Sequence, residues 1–202
     1  MSVTAILLAA GASRRFGAGN KLLALVEGEP MIRRVARTLA NSSVDAIVVV
    51  TGPNGEAIEK ALEGLPLRYI ANTEHTAGMG RSIAVGIGAI GSAASGALIV
   101  PGDMPHLPTH LVDALVSSFE SSGYDSIVHP ILPDGSQRNP VLWPRRRFAD
   151  LARLDGHDGA KTLIGADIRS RQMILVSSER VFVDVDVPSD LAGLIGSARL
   201  DN

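Results

Sequence analysis

The chain has no cysteine among its 202 residues, which excludes disulfides, thiolate metal sites, iron–sulfur clusters and a cysteine nucleophile. Aromatic residues make up only 3% of it, so any core must be built mainly from Ala, Val, Ile and Leu. Material for that core is present, because 46% of the residues are apolar, too many for a disordered or linking chain. Charge of one sign is also scarce: a formal net charge of −2 gives no basic footprint for a general nucleic-acid binder. No run reaches the roughly 18 apolar residues of a membrane span. The opening run has no basic segment before it and leads directly into Gly11-Ala12-Ser13-Arg14-Arg15, so a buried strand entering a glycine loop is expected rather than a signal peptide. These absences imply a cytoplasmic protein with no nucleic-acid or membrane partner. One domain spanning residues 1–202 is expected, because no linker, repeat or low-complexity tract interrupts the chain.

What is present is an alternation of short apolar runs with amphipathic stretches. Val3–Ala10, Ala46–Thr51, Leu67–Ala71 and Ala97–Pro101 are continuous rather than alternating in apolar character, as in parallel strands buried on both faces. Helices are expected over Pro30–Ala40, Glu56–Leu62, Ser82–Ile90 and Thr109–Ser121. After Ser122 the rhythm changes, with short strands over Ser126–Leu132 and Pro140–Trp143 flanking a turn at Pro133–Ser136. Short helices over Phe148–Leu154 and Ala160–Ile164, strands over Met173–Ser177 and Val181–Val185, and a last helix from Ser189 complete the pattern. The expected fold is α/β: a three-layer α/β/α sandwich with a mostly parallel, mixed sheet.

The segment Leu7–Leu23 carries the most chemistry. A buried strand ends in Gly11, the loop holds Ser13, Arg14, Arg15 and Gly17, and Lys21 follows. Glycine lets backbone N–H groups approach an anion closely, and cations neutralise a polyphosphate. The same residues would also make an ordinary solvated loop. The spacing fits neither a Walker A loop, which needs Gly-Lys-Ser/Thr, nor a dinucleotide Gly-x-Gly-x-x-Gly fingerprint.

Leu8-Ala9-Ala10-Gly11-x-Ser13-x-Arg15-Phe16-Gly17 followed by Lys21-Leu22-Leu23 resembles the signature loop of the MobA-like NTP transferases, which have the nucleotide-diphospho-sugar transferase fold. The molybdenum cofactor cytidylyltransferases are the most similar branch. The resemblance implies that Leu8, Ala9, Ala10, Gly11 and Ser13 face a nucleoside triphosphate and that Arg15 and Lys21 hold its phosphates. Asn72 and the Gly78-Met79-Gly80-Arg81-Ser82 segment are similar to the family's base-recognition loop, with Gly80 where serine is more usual; Ser82 would otherwise be a plain helix cap. Gly102-Asp103-Met104-Pro105, which by itself could be an ordinary turn, is similar to the family's Gly-Asp-x-Pro segment, and the resemblance implies that Asp103 is a catalytic ligand of Mg²⁺. The late segment Asp184-Val185-Asp186-Val187-Pro188 resembles the family's late Asp-x-Asp-x-Pro segment, which implies a second metal ligand, Asp186 ahead of Asp184. Asn139, Pro140, Asp158 and Gly159 fall in acceptor-side segments.

The resemblance divides the domain into a nucleotide-binding half, 1–122, and an acceptor-side half, 123–202. It implies Mg²⁺-dependent transfer of CMP from CTP to a phosphorylated acceptor, a molybdopterin, and a molybdoenzyme maturation protein as partner. Transfer of GMP, a sugar-phosphate or methylerythritol-phosphate acceptor, and a non-catalytic nucleotide- or cofactor-binding module stay open. The five histidines offer no metal-binding helical pair, since Pro108 lies between His106 and His110. Arg145-Arg146-Arg147 reads as a solvated turn, or else as a contact for an acceptor phosphate.

Overall fold

A computed structural model describes residues 1–182 apart from residues 12, 14, 15, 17, 18, 157, 158 and 167–169. Strand β1, Ser2–Ala9, runs through the middle of it. It pairs in parallel with β4, Ala46–Thr51, on one side and with β6, Ala94–Pro101, on the other, so that Leu7 stands beside both Val49 and Val100. Burial on two faces explains the unbroken apolar run. Successive side chains point to opposite faces of a strand: Val3, Ala5, Leu7 and Ala9 enter one apolar layer, while Ile6 and the following Ala10 enter the other.

The first layer is covered by α1, Met31–Ala40, α2, Gly55–Ala61, and α4, Thr109–Ser121. In α1, residues 31, 32, 35, 36 and 39 are buried, the stripe expected of an amphipathic helix, while Arg34 and Arg37 pair outward with Glu27 and Glu29. The second layer holds α3, Met79–Ala89, the short α5, Phe148–Leu151, and α6, Lys161–Ala166, with Trp143 and Ile164 between them. Two glycines set the layer spacing. A Cβ on Gly86 of α3 would stand 2.5 Å from Ile6, and one on Gly96 would stand 2.5 Å from the Phe119 ring. Helix meets sheet closely with few aromatics to fill the gap.

Among the described residues the main sheet has seven strands in the order β5-β4-β1-β6-β8-β7-β9, with β5 at Arg68–Ala71, β7 at Ile127–Ile131, β8 at Val141–Pro144 and β9 at Arg171–Leu175. Only β8 runs antiparallel to its neighbours. This is the expected three-layer α/β/α architecture with a mostly parallel, mixed sheet. A separate two-stranded hairpin, β2 at Leu25–Val26 and β3 at Glu29–Pro30, turns through Glu27 and Gly28, both at positive φ.

Several expectations are corrected: β6 begins at Ala94 rather than Ala97, and α5 ends at Leu151 rather than Leu154. Helix α3 starts at Met79 rather than Ser82, with Gly78 at its cap and no side-chain cap bond, so Ser82 is an interior helix residue. Strand β9 lies two residues before the expected Met173–Ser177. Val181 and Phe182 belong to a 3-10 turn, Glu179–Phe182, instead of starting a strand. Asp184, Asp186 and the expected last helix lie outside the described residues.

Candidate functional site

After β1, β4 and β5 build the sheet in one direction, and β6 then returns to the opposite side of β1. At such a reversal the loops leaving adjacent strands diverge, and open α/β sheets bind ligands in the resulting crevice. Here the divergence lies between the loop after Ala9 and the turn after Pro101. The exits are closely braced. Gly102 donates its N–H to Leu8 O at 3.1 Å, and a Cβ on it would stand 2.7 Å from that oxygen. On the other side, a Cβ on Gly52 would stand 2.6 Å from Ala10 O. Ala9 and Ala10 are buried and Gly11 is exposed.

The described part of the glycine loop is organised by Ser13, whose backbone has φ 48°. Its hydroxyl donates to Asn20 Oδ1 at 3.1 Å and accepts from the Lys21 N–H at 3.1 Å. Asn20 Oδ1 also accepts from the Leu22 N–H at 3.0 Å and caps the 3-10 turn Lys21–Leu23. The Asn20 amide Nδ2 is buried with no hydrogen-bond partner among the described residues. This network aims Lys21 across the crevice, where its Nζ lies 2.6 Å from Asp103 Oδ2. Residues 82 positions apart thus meet in an ion pair, with the two side chains 18% and 20% exposed. Arg15 lies outside the described residues.

Beyond this pair opens a cavity of about 530 Å³, within the range typical of small-molecule sites. Leu8, Ile99 and Met104 form its floor near the strand ends; Val141 and Trp143 continue it along β8. Met79 and Ile83 of α3 line it together with Gly159, which packs against both, and with Ala160 and Lys161, while Gln137, Arg138 and Asn139 supply polar edges. Two residues read as facing the nucleotide, Leu8 and Met79, therefore stand in this wall. Of the acceptor-side residues, Asn139 and Gly159 line it, Pro140 is buried behind Asn139, and Asp158 is outside the described residues.

Asn72 and Ser82 are buried and engage one another, Asn72 Nδ2 donating to Ser82 Oγ at 3.0 Å. Asn72 Oδ1 also accepts from the Glu74 N–H at 3.0 Å. Their polar groups hold the loop between β5 and α3 in shape. The arginine triplet is structural: Arg145 reaches Ala94 O at 2.9 Å, Arg146 pairs with Asp125 at 2.8 Å, and Arg147 pairs with Asp150 at 2.9 Å. His106, just beyond Asp103, has its pKa held below the usual imidazole value by burial foremost and then by Arg34.

No three His, Asp or Glu side chains gather to cage a metal among the described residues. Asp103 nevertheless suits a hard cation, since its oxygen already accepts a cationic group, the Lys21 ammonium. One strand-end carboxylate completed by phosphate oxygens is the donor set Mg²⁺ favours. The apolar cavity walls, Ile99, Met104, Val141 and Phe182, are absent from the sequence reading, because along the chain they look like any other core residues.

The sequence is 28% identical over 199 residues to nicotine blue oxidoreductase of Paenarthrobacter nicotinovorans, covering 96% of each chain. It is 26% identical over 189 residues to a molybdenum cofactor guanylyltransferase of Desulfosudis oleivorans, covering 93% of this chain and 88% of the relative. The fold superposes on a nucleotidyl transferase of Methanothermobacter with a TM-score of 0.82 at 21% identity, over 100% of this chain and 99% of the other. This is the nucleotide-diphospho-sugar transferase fold. The MobA-like NTP transferase domain matches residues 5–172, the stretch that carries most of β1, the glycine loop, Asp103 and the cavity lining apart from Phe182, and the chain belongs to that nucleotidyltransferase family.

Proposed function

We propose that the protein transfers CMP from CTP to the phosphate of a molybdopterin acceptor and releases pyrophosphate, with Mg²⁺ as cofactor. The observation that carries this reading is the Lys21–Asp103 pair at 2.6 Å, set where β1 and β6 diverge and beside the 530 Å³ cavity. It joins a phosphate-binding cation, a carboxylate for a metal and room for an acceptor. CTP rather than GTP follows from the resemblance of Leu8-Ala9-Ala10-Gly11 to the cytidylyl branch; the guanylyltransferase relative makes GTP the competing donor.

In this reading an oxygen of the acceptor phosphate attacks the α-phosphorus in line. The new O–P bond forms as the bond to the β-phosphate oxygen breaks, and that electron pair leaves with pyrophosphate. A phosphate acceptor is already ionised near neutral pH, so no general base is required. Positioning and charge neutralisation supply most of the catalysis in phosphoryl transfer. Lys21 and Arg15 hold the triphosphate, and the Ala9–Gly11 backbone lies under it. Asp103, with Asp186 or Asp184, would hold Mg²⁺, which when bound neutralises charge developing on the phosphates. Asn72 and Ser82 support the base loop through each other, and Asn139 and Gly159 contact the acceptor.

Calorimetric titration with CTP and with GTP, each with Mg²⁺, tests the donor. Micromolar binding of CTP, tighter than GTP, is the expected result, and preference for GTP would replace CMP transfer by GMP transfer. Pyrophosphate release on adding a molybdopterin then tests the acceptor. The second reading is an oxidoreductase, the activity named for one relative, whose substrate would lie against the apolar side of the cavity formed by Trp143, Ile99 and Val141. Absence of binding by either triphosphate would favour that second reading.

A further inference from the structure

The first turn of α3 carries contacts that its role in the nucleotide loop does not explain. Gly80, the second residue of the helix, donates its N–H to Gly156 O at 2.9 Å. A Cβ at Gly80 would stand 2.8 Å from the carbonyl oxygen of Asp155, 2.9 Å from its carbonyl carbon and 3.0 Å from its nitrogen. Those are backbone atoms, which cannot rotate aside as a side chain can. A second seat lies close by. Gly159, at φ +59°, approaches Met79 so closely that a Cβ there would stand 3.2 Å from Sδ. The segment between α5 and α6 is therefore pressed onto the same helical turn at two points.

That segment continues as Gly159, Ala160 and Lys161, which line the 530 Å³ cavity next to Met79 and Ile83 of α3. The same turn follows Gly78 and is tied back to the loop after β5 by the Asn72–Ser82 hydrogen bond. The turn is thus shared by the loop assigned to the nucleotide and by the cavity assigned to the acceptor.

We propose that Gly80 is a positioning residue: its lack of a Cβ seats Asp155–Gly156 on α3, fixes the Gly159–Lys161 wall of the cavity, and links occupancy of the nucleotide loop to the shape of the acceptor cavity. The link to nucleotide and acceptor rests on the nucleotidyl-transfer reading. The seating of the wall does not.

The chain contains one tryptophan, and that residue, Trp143, is 1% exposed and lines the cavity. Its fluorescence therefore reports on this cavity alone. Gly80→Ala is compared with Gly88→Ala in the same helix, where a Cβ meets nothing within 4 Å. Alanine for glycine in a helix is ordinarily stabilising, so the two variants are expected to differ in sign. Gly88→Ala is expected to raise the melting temperature and leave acrylamide quenching of Trp143 unchanged. Gly80→Ala is expected to lower the melting temperature and increase the quenching constant roughly twofold or more, as the wall loosens. Matching behaviour of the two variants would overturn the seating. Should Gly80→Ala fail to fold while Gly88→Ala folds, that contrast itself supports the seating, because the two positions differ in the space a Cβ would meet.

The link is read by titrating wild type and Gly80→Ala with CTP·Mg²⁺ and GTP·Mg²⁺, following heat and Trp143 emission together. The expected result is a change in emission on binding in wild type, and in the variant an affinity within about threefold but no emission change. Retained binding with a retained emission change overturns the link. If wild type binds neither triphosphate, the nucleotidyl-transfer reading fails, and the quenching comparison without nucleotide still decides the role of Gly80.

Discussion

Replacing Asp103 by asparagine removes one charge while keeping the shape and an acceptor oxygen, so its effects on stability and chemistry can be separated. At 2.6 Å the bare attraction to Lys21 is about 1.6 kcal/mol in water and about 6 kcal/mol at an effective dielectric constant of 20. Both side chains are partly open to solvent, so desolvation, screening and side-chain ordering reduce the net contribution to about 1 kcal/mol. For a domain of this size that corresponds to a fall in melting temperature of about 2–4 °C. The cost to the reaction is expected to be much larger. Loss of one preorganised electrostatic partner lowers turnover about 10²–10³-fold, equivalent to about 2.7–4 kcal/mol of barrier. The assay pairs thermal unfolding with pyrophosphate release at saturating Mg²⁺, supported by Mn²⁺ binding measured by paramagnetic resonance in the presence of CTP. Turnover within threefold of wild type would refute the role of Asp103. So would a loss of activity that merely tracked a collapse in melting temperature.

Lys21→Ala is expected to weaken CTP binding more than CMP binding, because its ammonium serves the outer phosphates; equal losses in calorimetry would refute that. His129 on β7 is 2% exposed and its Nε2 has no hydrogen-bond partner among the described residues, and burial foremost lowers its pKa below 6.5, with Arg171 adding and the Pro130 carbonyl opposing. The folded ring resists a proton that the unfolded chain accepts, so this contribution to stability is present above pH 6.5 and is lost as the pH falls below it towards the folded pKa. Urea unfolding between pH 8 and 5 should show this decline, and His129→Leu should make it shallower; an unchanged slope would refute the assignment.

Much of the architecture is legible in the sequence because strands buried on both faces leave no choice of pattern. Ala46–Thr51 and Thr109–Ser121 have the expected bounds. The departures have local physical causes. Met79-Gly80-Arg81 reads as loop because glycine is a poor helix former, yet Gly80 is helical because its missing side chain admits the Asp155 backbone. Strand β6 begins at Ala94, three residues before the expected start, since Ser95-Gly96 resembles a turn until Phe119 is seen lying against Gly96. The β2–β3 hairpin carries its signal in Glu27-Gly28, a weaker form of the Asn-Gly pair that favours such turns. The site divides in the same way. Lys21 and Asp103 can be chosen from their loops, but their contact spans 82 positions and belongs to the sheet order. The cavity is legible only in part: Leu8, Met79, Asn139 and Gly159 are marked by their motifs and line it, while Ile99, Val141 and Met104 have no chemistry to mark them.

The two ends of the crevice differ in how freely they can change over evolutionary time. Where β1 exits, the oxygens of Leu8 and Ala10 are hemmed in by Gly102 and Gly52, so any side chain at either glycine collides with main chain. Change at that end is blocked by backbone, which cannot rotate aside to admit a Cβ. The cavity is drawn instead by the side chains of Ile83, Ile99, Val141 and Ile164, each of which can be exchanged for another apolar residue at modest cost. Such a molecule can acquire a new acceptor through a handful of core substitutions while the strand exits stay as they are.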